Sequence, residues 1–166
     1  MSQINDPIDL ISNILSYMED NLNTYIDEVN TEKNAIYGCN SEMEQVKVYG
    51  QREELTGRQQ ELIKFQIVRD DISINDKNNT NYLASQNVSV GCFVNFYDDG
   101  TENSFSMGQR YEESVYRAIR GMSFQETADI RIVGRMTAPF TVEKQGKKTP
   151  QGIITAGVII NLVIGG

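Results

Sequence analysis

Residues 153–164 constrain the fold more than any other stretch of this chain. They are apolar almost throughout, rich in β-branched side chains, and only 12 long. A membrane-crossing helix takes roughly 20 apolar residues, so this run belongs in a protein core. Its continuous apolar character suits a central strand. Gly157 within it predicts a bulge or the close approach of another backbone. The rest of the chain has to supply a sheet around this strand.

Partner strands are legible by alternation. Residues 87–97 put Val88, Val90, Cys92, Val94 and Phe96 on one face, and Asp98, Asp99, Gly100 and Thr101 then form a tight turn. Residues 130–136 read as another strand, with 140–142 as a short extension and 146–152 as a basic turn. Residues 62–68 alternate as a half-buried strand. Residues 46–49 are a shorter candidate, with Val46 and Val48 on one face, and 51–61 read as a loop or helical turn. Residues 70–86, dominated by Asn, Asp, Ser and Thr, read as an exposed excursion of the kind that makes partner contacts.

Two helices complete the set. Asp6 and Pro7 pair an N-cap residue with proline at the first helical position, and Asp9 adds a favourable first-turn charge. Ile8, Ile11, Leu15, Met18, Leu22, Tyr25 and Val29 follow at alternating three–four spacing, predicting an amphipathic helix from Pro7 to about Asn30 that packs across the sheet. Ser106 and Gln109 have capping-box form. Tyr111, Val115, Ala118, Ile119 and Met122 then recur at helical spacing, with Gly121 where a C-terminal glycine cap belongs. The expected fold is α+β in the order α-β-β-β-α-β-β: an antiparallel or mixed sheet with a long N-terminal helix and a second helix on one face. The 166 residues suit one domain spanning 1–166.

Composition excludes several function classes. The chain has no histidine, which removes Ser–His and Cys–His nucleophile pairs and the HExxH metal site. Cys39 and Cys92 lie far apart and outside any CxxC pair, so two buried, reduced thiols are expected. Asp6, Pro7 and Asp9 stand where a secretory leader would need apolar residues, which places assembly in the cytoplasm. Gly146, Lys147, Lys148 and Thr149 resemble the end of a phosphate-binding loop. That motif needs a glycine where Thr141 stands and a helix where Pro150 follows. Asp98 and Asp99 could serve a metal-dependent hydrolase only with further acids converging on them, and Asp-Asp-Gly is ordinary turn chemistry. The eight tyrosines are not interleaved with Lys or Arg as a nucleic-acid surface would need. No catalytic constellation survives, and no cofactor or metal is expected.

Charge is more informative. The formal net charge of −8 argues against gripping phosphate backbones. Residues 1–35 hold seven acids against Lys33, a balance of −6, whereas the segment from Ile130 onward carries +4. Glu19, Asp20, Asp27 and Glu28 on the first helix therefore stand against Arg131, Arg135, Lys144, Lys147 and Lys148. In a head-to-tail ring two different patches of one chain meet, so these sets are candidate surfaces between subunits. The basic loop around Lys144–Lys148 is equally a candidate for docking on an acidic partner.

The order of elements, and above all Val90, Cys92, Val94 and Phe96, the turn, then Tyr111, Val115, Ala118, Ile119, Arg120, Gly121 and Met122, resembles the tail terminator (tail completion) proteins of long-tailed bacteriophages. The resemblance implies a non-enzymatic virion protein at the head–tail junction, a homo-hexameric ring that caps the tail tube and stops its polymerisation. Its partners would be further copies of itself, the tail tube protein and a neck or head-completion protein. DNA would only pass through the lumen, where an acidic wall lets it slide, and no membrane is involved. Another head–tail joining or tail-tube component has similar elements, and a small carboxylate-dependent hydrolase at Asp98 and Asp99 is the distant alternative.

Overall fold

The computed structural model describes residues 7–37, 42–48, 63–75, 85–98, 100–122, 129–142 and 151–164. In chain order the elements are α1 (Pro7–Tyr37), β1 (Lys47–Val48), β2 (Lys64–Asn75), β3 (Ser85–Tyr97), α2 (Glu102–Met122), β4 (Asp129–Val142) and β5 (Gln151–Ile164). The strands form one five-stranded sheet in the order β1-β2-β3-β5-β4. Only β1 and β2 run parallel; every other pairing is antiparallel. This is the expected α+β fold, and the apolar strand β5 lies inside the sheet, between β3 and β4.

Both helices cover one face. A sheet of five strands is about 20 Å wide at ~4.8 Å per gap, and one helix with its side chains spans about 10 Å, so two are needed side by side. α2 lies on β5, β4 and β3, while α1 runs beside α2 and β1. The long helix thus extends the covering layer rather than crossing the sheet alone. Ile11, Ile14, Met18, Leu22, Ile26 and Val29 of α1 meet Tyr111, Val115, Ala118 and Ile119 of α2 over Val88, Val90, Cys92, Val94, Ala156, Val158 and Ile160. Cys92 is a buried free thiol whose pKa burial pushes up to about 12, so it is chemically inert at neutral pH; Cys39 lies outside the described residues.

Several boundaries differ from the sequence reading, each for a physical reason. α1 continues past Asn30 to Tyr37. α2 starts at Glu102, because Thr101 Oγ1 accepts the Ser104 N–H at 3.3 Å; Thr101 is the cap and Ser106 lies inside the helix. Gly121 is a helical residue rather than a left-handed cap, since Gly100 (φ 79°) is the one glycine with positive φ among the described residues. Its lack of a side chain instead admits the hydroxyls of Tyr17 and Tyr25 from α1. β2 runs through Asn75 into the expected excursion, with Ile72 registered on Val88 and a bulge at Asp70 and Asp71. β4 is one strand across Pro139, bulged between Ile132 and Gly134; a proline is tolerable there because β4 is an edge.

Candidate functional site

Among the described residues three surfaces stand out: a charged bridge across the helical layer, a strap on α1, and the helix-free face of the sheet. The bridge begins at Arg117 on α2. Its Nη1 donates to Glu28 Oε1 at 2.9 Å and Glu32 Oε2 at 2.8 Å, its Nη2 to Glu32 Oε1 at 3.1 Å, and its Nε to Glu113 Oε1 at 3.0 Å. The second oxygen of Glu113 accepts from Arg135 Nη2 on β4 at 2.6 Å, and Arg135 Nε donates to Glu112 Oε2 at 3.0 Å. The Arg135 guanidinium lies 4.2 Å from the Tyr116 ring centroid, a cation–π stack. The chain of charges therefore ties α1 to α2 and α2 to β4. Burial works against ionisation of Glu113, but hydrogen bonds from Arg135 and Arg117, and their charges, hold its carboxyl below its ordinary value of 4.5.

Six of the nine residues expected at a subunit surface lie among the described residues. Glu19, Asp20 and Asp27 are exposed on α1. Glu28 faces Arg117 of its own chain. Arg131 and Arg135, four apart, would share one face of a regular strand, but the bulge between them reverses the alternation. Arg131 is registered on Asn161 of the helix-free face, and Arg135 on Val158 of the helix-covered face. Glu28 and Arg135, read from sequence as opposed halves of a contact between subunits, both serve the intrachain bridge. Lys144, Lys147 and Lys148 lie outside the described residues.

Arg117→Ala removes the only residue joining α1 acids to Glu113 in this bridge. Glu28 and Glu32 would lose their bonds to Arg117 and Glu113 would keep only Arg135, so a stability loss of about 1 kcal/mol is expected at low ionic strength, shrinking as salt screens the partly exposed pairs. Thermal unfolding at low and high salt checks this; an equal loss at both would assign the effect to packing. Acid gives a second readout. A carboxyl with a depressed folded pKa contributes its full stability above its ordinary value, and that contribution is lost as pH falls through the depressed one. The wild type should therefore lose stability more steeply below pH 4.5 than Arg117→Ala.

The strap, residues 42–46, runs extended along α1. Asn30 Nδ2 donates to the Met43 carbonyl at 3.0 Å and its Oδ1 accepts the Met43 N–H at 2.9 Å. Asn23 repeats the arrangement on Val46, at 3.2 and 2.8 Å. The repeat is metric: seven helical residues advance about 10.5 Å and three extended ones about 10 Å. Tyr111 of α2 adds a third clamp, its hydroxyl donating to the Glu44 carbonyl at 3.0 Å. Side-chain amides and a phenol thus stand in for a neighbouring strand. Beside the strap, at the start of α2, a cavity of about 260 Å³ is lined by Glu42, Glu44, Ile63, Phe96, Tyr97 and Met107, among others.

The carboxylates that could suggest hydrolysis have a local role in the part described. Asp98 Oδ1 accepts the Gly100 N–H at 2.8 Å, the side-chain-to-backbone bond of an Asx turn, and the Asp98 N–H donates to the Gly152 carbonyl at 3.0 Å. Asp99 lies outside the described residues. Among the described residues there is no group of three His, Cys, Asp or Glu that could hold a metal ion, and no helix is long and apolar enough to cross a membrane.

The helix-free face breaks the alternation of a solvated sheet. A strand with one wet face places polar residues there, yet β5 presents Ile153, Thr155, Gly157, Ile159 and Asn161. Phe93 of β3, Val68 of β2 and Met136 of β4 share that side. A polar rung crosses it: Thr155 Oγ1 donates to Asn95 Oδ1 at 2.6 Å, and Asn95 Nδ2 to Gln66 Oε1 at 3.1 Å. This mixed face, wide and partly apolar, is suited to contact with another protein surface. No protein-family model matches the chain, and no curated protein does.

Proposed function

We propose that this chain is a structural subunit of a long-tailed phage virion, the tail terminator. Its copies form a hexameric ring at the head–tail junction that caps the tail tube, ends its polymerisation and receives the neck or head-completion protein. The mechanism is surface complementarity, with no bond made or broken by the protein, and DNA passes through the lumen. The observation that carries the reading is the partly apolar sheet face opposite the helices, spread over β2, β3, β5 and β4. A subunit that completes its layers only on assembly has such a face. The element order and the net charge of −8 also support it, since an acidic ring around DNA repels the backbone instead of holding it.

Two measurements test the proposal. Mass in solution should be that of six chains, and adding the protein to polymerising tube subunits should stop tubes at a fixed length. A monomer at high concentration that leaves tube length unchanged would overturn it. Incorporation along the tube would instead make the chain a tube component.

A further inference from the structure

Two glycines keep the helix-free face of the sheet flat. Gly157 of β5 is registered on Phe93 of β3, and the Phe93 ring lies over Gly91, in the space a Cβ there would fill. The ring therefore lies along the sheet instead of standing out from it. Ile159, registered on Gly91, and Met136, registered on Gly157, flank these positions, and Val68 is 59% exposed on the same side. The polar side chains beside them, Gln66, Asn95 and Thr155, close hydrogen bonds with one another within the sheet, so a cover need not supply those bonds. Among the described side chains of this face none is a carboxylate, although the chain carries a net charge of −8.

We infer that the cover is a second copy of this chain, bound face to face about a two-fold axis, so that two sheets with their outer helices make a four-layer sandwich. Flat sheet faces pack in this way, about 10 Å apart. The size suffices. Four strands at ~4.8 Å and about nine residues at ~3.4 Å span nearly 600 Å² on each copy, so a pair hides about 1,200 Å², the lower bound of a standard stable interface. Chemistry selects this surface over another on the same chain. The outer side of α1 exposes Glu19, Asp20 and Asp27, and setting carboxylates against an apolar face removes them from water without a partner. Against its own copy the face brings apolar groups to apolar groups and no described acid to another. A two-fold contact is also the commonest kind between like chains. The inference goes beyond the ring proposed above and does not rest on it: six chains can be three such pairs, and a pair stands without them.

Cysteine cross-linking tests the pair. Ile159 lies near the centre of the face, where a residue meets its own copy whatever the direction of the two-fold axis. In a Cys39→Ser background, with Cys92 buried and inert, Ile159→Cys is treated with a short bis-maleimide. It should run as two chains on a denaturing gel, and Ser16→Cys, exposed on the outer side of α1, as one. As an independent arm, Ile159→Lys sets two cations against each other at that centre. Its mass should fall by at least half with circular dichroism unaltered, while Thr24→Lys, exposed on α1, keeps the wild-type mass. A six-chain mass without the Ile159→Cys dimer would overturn the pair and leave the ring standing. A two-chain mass with that dimer would establish the pair and overturn the ring. A single-chain mass at high concentration would overturn both; Ile159→Cys would then react with a maleimide if the face awaits another protein, and resist it if the chain's own residues cover it. A folded Ile159→Lys variant that keeps the full mass would also overturn the pair.

Discussion

Gly157→Ala will cost this protein much of its stability, about 4 kcal/mol or more, because the added methyl has no place to go. A Cβ at that position would stand 2.0 Å from the Cys92 carbonyl oxygen and 3.0 Å from both the Cys92 carbonyl carbon and the Phe93 Cα. All three are backbone atoms of β3, so no rotamer change relieves the overlap. β3 and β5 would have to separate where they are registered from Gln86 on Ile164 to Tyr97 on Ile153. The glycine is not needed for its dihedral freedom, since its φ is not positive. What matters is the space. Losses above 4 kcal/mol are rare for single substitutions, and a domain typically has only 5–15 kcal/mol in total. Denaturant unfolding checks the value, with Gly134→Ala as the control. There the nearest atoms to a new Cβ are those of Ile159 at 3.9 Å, an ordinary contact, and a change within about 0.5 kcal/mol is expected. A loss below about 1 kcal/mol for Gly157→Ala would show that the sheet accommodates a methyl at this crossing.

The same residue marks how far the fold is legible in the sequence. Strict alternation over 88–96, the apolar run at 153–164 and the amphipathic pattern of α1 each depend on one element's own periodicity, and each element is where the sequence places it. Within α1, however, Ile14 and Ile26 are buried while Leu15 and Tyr25 are only partly so. The features that escape it depend on partners distant in the chain. β2 extends to Asn75 because Ile72 and its neighbours meet β3 across a bulge; read alone, Asp70 and Asp71 look like the start of a loop. Arg131 and Arg135 look like one basic patch until the bulge at Val133 turns Arg135 towards Glu112 and Glu113. Charge arithmetic cannot anticipate this, since a single extra residue decides which face a side chain takes. Asn30 is the sharpest case. The three–four apolar stripe stops at Val29, so Asn30 reads as the end of α1. It is instead an interior residue whose amide is claimed by Met43. The signal available in sequence was its spacing of seven from Asn23, two amides on one helical face.

Asn30→Ala is accordingly expected to be the second most damaging single change, about 3 kcal/mol by denaturant unfolding. Asn30 is 8% exposed, and loss of its side chain leaves both the N–H and the carbonyl of Met43 without that partner. An unsatisfied buried polar group costs about 1–3 kcal/mol, and two are created here. Improved helix propensity returns well under 1 kcal/mol. Asn23→Ala breaks the equivalent pair on Val46 at a half-buried position open to water, and about 1 kcal/mol is expected. Asn30→Asp separates hydrogen bonding from shape. The carboxylate still accepts the Met43 N–H but sets a second anionic oxygen against the Met43 carbonyl, so its folded pKa must rise. A raised carboxyl pKa contributes stability below the unfolded value, near 3.9, and loses it as pH climbs through the folded one. Asn30→Asp should therefore recover towards the wild type on acidification, when the protonated carboxyl can donate to that carbonyl. The bridge through Glu113 weakens below pH 4.5 in both proteins alike, so the difference between their stabilities reports residue 30. Converging stabilities as pH falls would identify the amide's donated bond as what holds the strap to α1; parallel curves would mean that the strap is held by the burial of Met43 alone.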